Sequence, residues 1–375
     1  MNDAKYRFPV ILRQVTDDSA NFKPLPKPTG AYPYRLNIDN VPGLNAEDFR
    51  DRMAFHMVGD TGSARQSFFQ EPIASALSRQ LDDTERATPA FLYHLGDIVY
   101  NHGEAKEYPA QFLGPYRNYH APIFAIPGNH DGDINPESAD PYESLDAFLE
   151  VFCDSQSRPI SFAVENPRMS MTQPNVYWTL LTPLARFIGL YANVTKFGTI
   201  TDEQRTWFIE ELIEAGRHAQ AIIVCVHHAP YSADTNHGSS QQTIDLLDAA
   251  FEITGVYPDL VCSGHVHNYQ RFSKQYSNDI QVPYIVAGAG GYADLHSVAL
   301  ENAPDVSPLT GDDSVALAAY CDDRFGFLKM NIQKIGAEIQ IAGEYYTLQD
   351  EDNFQPVLYD RFEIPCRRSA QLNLD

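Results

Sequence analysis

The chain has 375 residues, which is enough to bury a substantial core in one large domain or two ordinary ones. Hydrophobic residues make up 43% and aromatic residues 12%, as in an ordinary soluble globular protein. The formal net charge of -23, from 27 basic and 50 acidic residues, argues against nucleic acid and against an anionic membrane surface as partners. A small anionic substrate is still compatible with this charge, because bound metal cations can invert the local field.

The sequence carries no recognisable targeting or disulfide signal. The first residues lack an apolar core of signal-peptide length, and no later apolar run is long enough to span a membrane. The five cysteines are widely separated and odd in number, so they form neither a disulfide framework nor a CxxC zinc motif. These features together predict a cytoplasmic protein.

The predicted elements begin after a proline-rich N-terminal arm, residues 1–50. From Met53 onward, short apolar runs alternate with stretches of helical periodicity, which predicts a parallel sheet with crossover helices. Thr201 starts the clearest helix, because T-D-E-Q matches a capping box and Gly216 follows the last apolar turn. The predicted helices cover residues 67–81, 142–152, 201–216 and 243–251.

The second half of the chain predicts a second sheet. Runs at 176–181 and 186–191 have the spacing of a hairpin, and the runs after Pro283 have the spacing of further strands. We therefore expect an α/β sandwich, two packed mixed sheets flanked by helices, in a single domain over residues 51–365. Residues 134–174 are interpreted as an insertion over the site, and residues 366–375 as a tail.

Polar side chains follow five of the apolar runs at the point where each run ends. The first three runs lead to Asp60, to Asp97 with Tyr100, and to Asn129 with His130; the last two lead to His227 with His228 and to His265 with His267. Since the carboxyl ends of parallel strands meet at one edge of a sheet, these groups are expected to converge. Carboxylates, an amide oxygen, a phenol and imidazoles are too many ligands for one tetrahedral ion but suit two neighbouring ions bridged by a carboxylate.

The series GDTG, GDIVY, GNHD, HHAP and GHVH resembles the five blocks of the calcineurin-like metallophosphoesterases, and specifically of the purple acid phosphatases. The resemblance covers roughly residues 53–291. Most calcineurin-like enzymes carry a histidine two residues after the first aspartate, where this chain has Gly62. Purple acid phosphatases lack that histidine and gain a tyrosine three residues after the second aspartate, here Tyr100.

The resemblance implies a ligand set for two metal ions. Ferric iron is expected at the Tyr100 site, because a phenolate is a hard anionic donor, and Fe, Zn or Mn at the second. His228 is preferred over His227 because the family places its ligand two residues before a proline. The first ion would be held by Asp60, Asp97, Tyr100 and His267, and the second by Asp97, Asn129, His228 and His265.

Two further histidines are assigned catalytic roles by the same resemblance. His130 is expected to bind phosphate, and His237 to protonate the leaving group. Taken singly, these residues have structural explanations: an aspartate at a strand end can cap a turn, Tyr100 can pack as an aromatic, and His237 can be a solvated loop residue. The glycine-rich segment 287–294 is interpreted as a place of close backbone approach, while Asp294 and His296 have no assigned role.

The implied function is hydrolysis of phosphate monoesters, by attack of a metal-bound hydroxide on phosphorus. The expected partner is a small phosphorylated substrate, and the sequence leaves the oligomeric state open. Two alternatives stay open as well. The same metal pair could cleave phosphate diesters, or the chain could be a non-catalytic scaffold of this fold that binds protein partners.

Overall fold

The structure, a computed structural model, describes residues 4–12, 24–65, 69–83, 87–193, 198–277, 280–303, 305–309, 314–348 and 354–366. The strands are β1 (Val10–Leu12), β2 (Arg35–Asn37), β3 (Arg52–Val58), β4 (Pro89–His94), β5 (Ile123–Ala125), β6 (Trp178–Leu181), β7 (Ala185–Leu190), β8 (Ala221–Val226), β9 (Leu260–Ser263), β10 (Tyr269–Ser277), β11 (Ile280–Ala287), β12 (Val306–Pro308), β13 (Val315–Cys321), β14 (Gly326–Ile335), β15 (Glu338–Leu348) and β16 (Pro356–Pro365). The helices are α1 (Gln70–Leu81), α2 (Asn129–Gly132), α3 (Asp146–Phe152), α4 (Asp202–Ala215) and α5 (Gln241–Thr254).

Two large mixed sheets form the body of the protein, as the sequence predicted. One sheet has eight strands in the order β13-β10-β11-β9-β8-β7-β6-β2, and the other has six in the order β16-β15-β14-β3-β4-β5. The series β3-β4-β5 is parallel, and so is β7-β8-β9-β11. Parallel strands buried on both faces need nearly continuous apolar runs, which is why MAFHMV and AIIVCV contain hardly any polar residues.

The core between the sheets is aromatic where the two parallel series face each other. Phe55 on β3 stacks on Phe91 on β4 at 5.3 Å between ring centroids, and meets Phe187 on β7 edge-on at 5.0 Å. All three rings are fully buried. This packing fixes the sheets face to face and brings the carboxyl ends of β3, β4, β5, β8 and β9 to one region.

The predicted helices are confirmed, with shifted ends. The Thr201 hydroxyl accepts the N–H of Gln204 at 3.2 Å and so caps α4, and Gly216 ends that helix. The helix predicted over 142–152 is shorter, because Leu145 precedes α3 with a φ of 68°. Part of the helix predicted over 67–81 lies outside the described residues. The predicted hairpin is confirmed as the antiparallel pair β6-β7.

The predicted arm takes part in both small and large sheets. Strand β1 pairs with β12, and β2 is the edge strand of the eight-stranded sheet, parallel to β6. The bidentate pair of Arg35 with Glu211, at 2.7 Å, anchors β2 to α4. Within the described residues, no helix has the length and apolar character needed to cross a bilayer.

Candidate metal centre

Three of the strand-end residues have a left-handed backbone conformation that follows directly on a glycine. Asp60, Asp97 and His265 have φ values of 57°, 53° and 68°. Non-glycine residues seldom adopt this region, and such conformations cluster at functional sites where the surrounding structure holds them. The reversal after each glycine turns the side chain back across the carboxyl end of its strand. The three residues come together there, because Asp60 Oδ2 accepts the backbone N–H of His265 at 2.9 Å, and Asp97 and His265 have potential ligand atoms within 4.8 Å of each other.

The first group of converging side chains contains Asp60, Tyr100 and His267. The Tyr100 hydroxyl donates to Asp60 Oδ1 at 3.2 Å and lies 3.3 Å from His267 Nε2. His267 Nε2 is 3.6 Å from Asp60 Oδ1. All three side chains are buried. A carboxylate, a phenol and an imidazole thus point at one another from three different loops.

The second group contains Asp97, Asn129, His227 and His265. Asn129 Oδ1 lies 3.1 Å from His227 Nε2 and 3.0 Å from His265 Nδ1. His227 Nε2 also lies 3.3 Å from Asp97 Oδ2. The structure therefore brings together the predicted members of this group, with one difference at the histidine pair.

The sequence pattern favoured His228 as the ligand, whereas the structure places the neighbouring His227 against Asn129 and Asp97. His227 is the first residue after β8, and its Nδ1 lies 2.8 Å from the carbonyl oxygen of Leu95, which orients Nε2 into the group. His228 packs against the ring of His265, with 4.2 Å between the ring centroids. Adjacent residues leaving a strand point in opposite directions, so one of the two imidazoles is expected to ligate.

Burial and mutual charge perturb the pKa values of Asp60, Asp97, Tyr100 and His227. Burial and the neighbouring carboxylates raise the pKa of Tyr100 well above its usual value, and burial also raises that of Asp60. Burial opposes ionisation of Asp97, but the facing His227 and the N–H and charge of His130 together hold the pKa of Asp97 below its usual value. The same ion pair overcomes burial at His227 and raises its pKa to about 9.

These residues fit the two metal ions that the family implies. Acidic oxygens crowded into a buried site are costly to ionise without a compensating cation, which is what the raised pKa values of Asp60 and Tyr100 express. Both groups contain the hard oxygen and imidazole ligands that iron, zinc and manganese accept. Asp97 contacts the second group through His227, and its charge raises the pKa of Asp60 and Tyr100 in the first, so it lies where a shared ligand would lie.

Asp131 ties the loops of the centre together. Its Oδ1 accepts the N–H groups of Ile98 and Val99 at 3.0 and 3.2 Å, and its Oδ2 accepts that of Gly128 at 2.8 Å. The loop after β4, which carries Asp97, is thereby fixed to the loop after β5. Burial raises the pKa of Asp131 to about 7. Sequence reasoning missed this role, although the residue stands in the GNHD block.

Glycines around the centre leave room for the carboxylates. A Cβ at Gly128 would lie 2.1 Å from Asp97 Oδ1, and one at Gly288 would lie 2.7 Å from Asp60 Oδ2. Gly288 belongs to the glycine-rich segment, so its interpretation as a close backbone approach is confirmed. A Cβ at Gly62 would lie 2.4 Å from the carbonyl oxygen of Ile98. This chain therefore has no space for a histidine at position 62, while Tyr100 fills the centre from the other side.

His130 and His237 border the centre on its more exposed side. The backbone N–H of His130 donates to Asp97 Oδ1 at 2.9 Å, and its Nδ1 lies 2.7 Å from the carbonyl oxygen of Asn101. The ring of His237 is 30% exposed and lies 4.2 Å from the ring of His265. Burial against the other imidazoles lowers the pKa of His237 to about 4. Both residues thus border the two ligand groups.

Comparison with known proteins identifies the family. The sequence-family model of the calcineurin-like phosphoesterases matches residues 53–269, which is more than half of the 375 residues of this chain. The chain belongs to the calcineurin-like phosphoesterase family. The predicted recognition and fold class are confirmed.

Two Arabidopsis thaliana relatives are similar to this phosphoesterase chain. It is 28% identical over 211 residues to purple acid phosphatase 15, which is 53% of this chain and 35% of that protein. It is 29% identical over 109 residues to the probable purple acid phosphatase 20, or 26% of each chain. The chain thus spans about a third of the first relative and a quarter of the second.

Among solved structures, the fold is similar to that of GAP50, described as the anchor in the inner membrane complex of Plasmodium. The TM-score is 0.56 at 15% identity, over 84% of this chain and 90% of that one. An identity this low shows a shared fold, and the anchoring role belongs to GAP50.

Proposed function

We propose that this chain is a binuclear metal-dependent phosphoesterase, similar to the purple acid phosphatases, that hydrolyses phosphate monoesters. The observation that carries the proposal is that Asp97 stands between two ligand groups: its Oδ2 lies 3.3 Å from His227 Nε2 in the second group, and its charge raises the pKa of both Asp60 and Tyr100 in the first. The proposed first group is Asp60, Asp97, Tyr100 and His267, and the proposed second group is Asp97, Asn129, His227 and His265.

Two bound ions in such a site would supply a nucleophile at mild pH and stabilise the entering and leaving oxygens of the phosphoryl group. Ferric iron is proposed at the Tyr100 group, because phenolate is a hard anionic ligand, and Fe, Zn or Mn at the other. Loading requires that Tyr100 lose its proton and that His227 become neutral, so metal binding is expected to release protons.

His130 is proposed to bind the phosphate. Its Nδ1 is engaged with the carbonyl oxygen of Asn101 at 2.7 Å, which fixes the ring and leaves Nε2 for a phosphate oxygen. His237 is proposed to protonate the leaving oxygen, because it lies beside His265 on the partly exposed side of the centre. A group in this position transfers its proton only if it lies within hydrogen-bond reach of the substrate.

The experiment that tests the proposal compares wild type with Asp97→Asn. The variant retains the size of the side chain but loses the charge of the proposed shared ligand. We expect loss of both metal ions from the variant and loss of hydrolysis of a phosphate monoester, with the helix content unchanged by circular dichroism. Asp323→Asn is the matched control, since the Asp323 side chain is 70% exposed. Full activity in the Asp97 variant would refute the proposal.

Initial rates on a monoester and on a diester, measured with one metal-loaded preparation, decide the substrate class. We expect the monoester to be hydrolysed faster. A faster reaction with the diester would contradict the proposed class and leave the metal centre in place.

A further inference from the structure

A second cluster of ionisable side chains lies behind the metal centre. It consists of Asp234, His237 and His296, whose potential ligand atoms all lie within 4.8 Å of one another. Asp234 is fully buried and His296 is 6% exposed. Burying a carboxylate costs free energy unless its oxygens accept hydrogen bonds or face a cation, so the partners of Asp234 indicate its role.

Backbone pairing brings the two segments of this cluster side by side. The N–H of Ala299 donates to the carbonyl oxygen of Ala233 at 2.7 Å, and that of Thr235 donates to Ser297 at 3.1 Å. The loop that carries His237 therefore lies along the segment that carries His296. Sequence reasoning left His296 unassigned, because 59 positions separate the two histidines.

The two oxygens of Asp234 have different partners. Oδ1 accepts the backbone N–H groups of His237 at 3.0 Å and Gly238 at 2.7 Å, which fixes the shape of the loop. Oδ2 lies 3.2 Å from His296 Nδ1 and 4.0 Å from His237 Nδ1. One oxygen thus accepts hydrogen bonds from the backbone of the loop, and the other faces two imidazoles.

Each of these imidazoles lies against a proposed metal ligand. The ring of His237 is 4.2 Å from that of His265, in the second group. The ring of His296 stacks on that of His267, in the first group, at 4.2 Å, and the backbone N–H of His296 donates to the backbone carbonyl oxygen of His267 at 3.0 Å. The Asp234 carboxylate is consequently connected to both halves of the centre through one imidazole each.

We propose that Asp234 and His296 are positioning residues of the metal centre. Asp234 sets the place of His237 relative to the substrate, and His296, held by Asp234, supports the ring of the ligand His267. This inference deepens the proposed function and rests on it. Replacing a residue that contacts and orients a metal ligand typically lowers metal affinity or activity by about 10–100-fold.

Asp234→Asn separates the two roles of the carboxylate. Asparagine retains an oxygen for the N–H groups of His237 and Gly238, but it presents an NH₂ group where Oδ2 faces the imidazoles. We expect a kcat about 10–100-fold lower, with two metal ions retained and the thermal midpoint nearly unchanged. His296→Gln should lower the affinity of the first metal group by a similar factor. Asp294→Asn is the control in the same segment, since its carboxylate is 58% exposed and pairs with Arg65.

A readout independent of catalysis is the nitrogen NMR spectrum of the histidine rings, in which the signals of His237 and His296 are assigned from their glutamine variants. Asp234→Asn should shift both ring signals and leave in place that of His218, whose Nε2 lies 3.0 Å from Glu214 on α4. If wild type neither binds metal nor hydrolyses phosphate esters, the proposed function fails, and these shifts still decide whether Asp234 holds the two rings. Unchanged ring signals would overturn the inference. So would a third metal ion per wild-type chain that Asp234→Asn removes, because the cluster would then be a cation site.

Discussion

Replacing His227 or His228 by alanine, one at a time, decides which imidazole completes the second ligand group. The two residues are neighbours, both are buried, and the spacing to Pro230 favours His228. The geometry favours His227, whose Nε2 lies 3.1 Å from Asn129 Oδ1 and 3.3 Å from Asp97 Oδ2. A single pair of variants therefore opposes a prediction from sequence to one from structure.

The expected magnitudes differ enough to be separated. Residues that only orient a ligand change metal affinity by about 10–100-fold, so His228→Ala should fall within that range. His227→Ala removes a ligand and should exceed about 100-fold, which corresponds to more than about 2.7 kcal/mol of binding free energy. Without metal, the same variant leaves the buried Asp97 carboxylate unpaired, a change that costs about 3–5 kcal/mol of folding free energy.

The assay is isothermal titration calorimetry, in which zinc is added to each metal-free protein. Circular dichroism first establishes that each variant is folded. A supporting result is weak, single-ion binding by His227→Ala and two-ion binding by His228→Ala. The reverse order of affinities would contradict the assignment of His227 and identify His228 as the ligand.

Three further predictions concern single sites. Tyr100→Phe keeps the ring contacts at 4.4 Å with His130 and 4.3 Å with Tyr292 but removes the phenol oxygen, so the iron-loaded variant should lose its visible absorption while Tyr292→Phe retains it; equal spectra would show that Tyr100 is not a ligand. Gly128→Ala would put a Cβ 2.1 Å from Asp97 Oδ1, so it should lower the unfolding free energy measured by urea titration by about 1–3 kcal/mol and should also weaken metal binding. An unfolding midpoint equal to that of wild type would contradict this. Burial lowers the pKa of His56 from 6.5 to about 3, so between these two pH values the unfolded chain binds a proton that the folded chain does not. As the pH falls through this window, wild type should lose about 1.4 kcal/mol of unfolding free energy per pH unit relative to His56→Gln. Parallel stability curves for those two proteins would refute that assignment.

The elements that sequence predicted well are those with local physical causes. Thr201 caps α4 because its hydroxyl reaches the N–H of Gln204 three residues on, a contact that needs no tertiary structure. The parallel strands are readable because burial on both faces demands continuous apolar runs. Convergence of Asp60 with Asp97 followed from the rule that the parallel strands of a sheet end at one edge, whereas His265 follows β9 of the other sheet and joins them because the two sheets pack face to face.

The features that sequence could not predict depend on distant parts of the chain. The choice between His227 and His228 depends on the carbonyl oxygen of Leu95, which lies 132 positions away and orients His227. The pairing of Asp234 with His296 depends on two loops that follow different strands, β8 and β11, of the eight-stranded sheet. Likewise, the proline-rich composition of the arm gave no sign that Arg35 and its neighbours form an edge strand, because three residues are too few to show a period.

The most direct test of the central claim is the metal content of the purified chain together with its visible absorption spectrum, after supply with iron and zinc. Two ions per chain and a visible charge-transfer band, both lost in Asp97→Asn, are the predicted result. Fewer than two ions per correctly folded chain, under every metal supply tried, would contradict the binuclear centre and favour a non-catalytic scaffold of this fold.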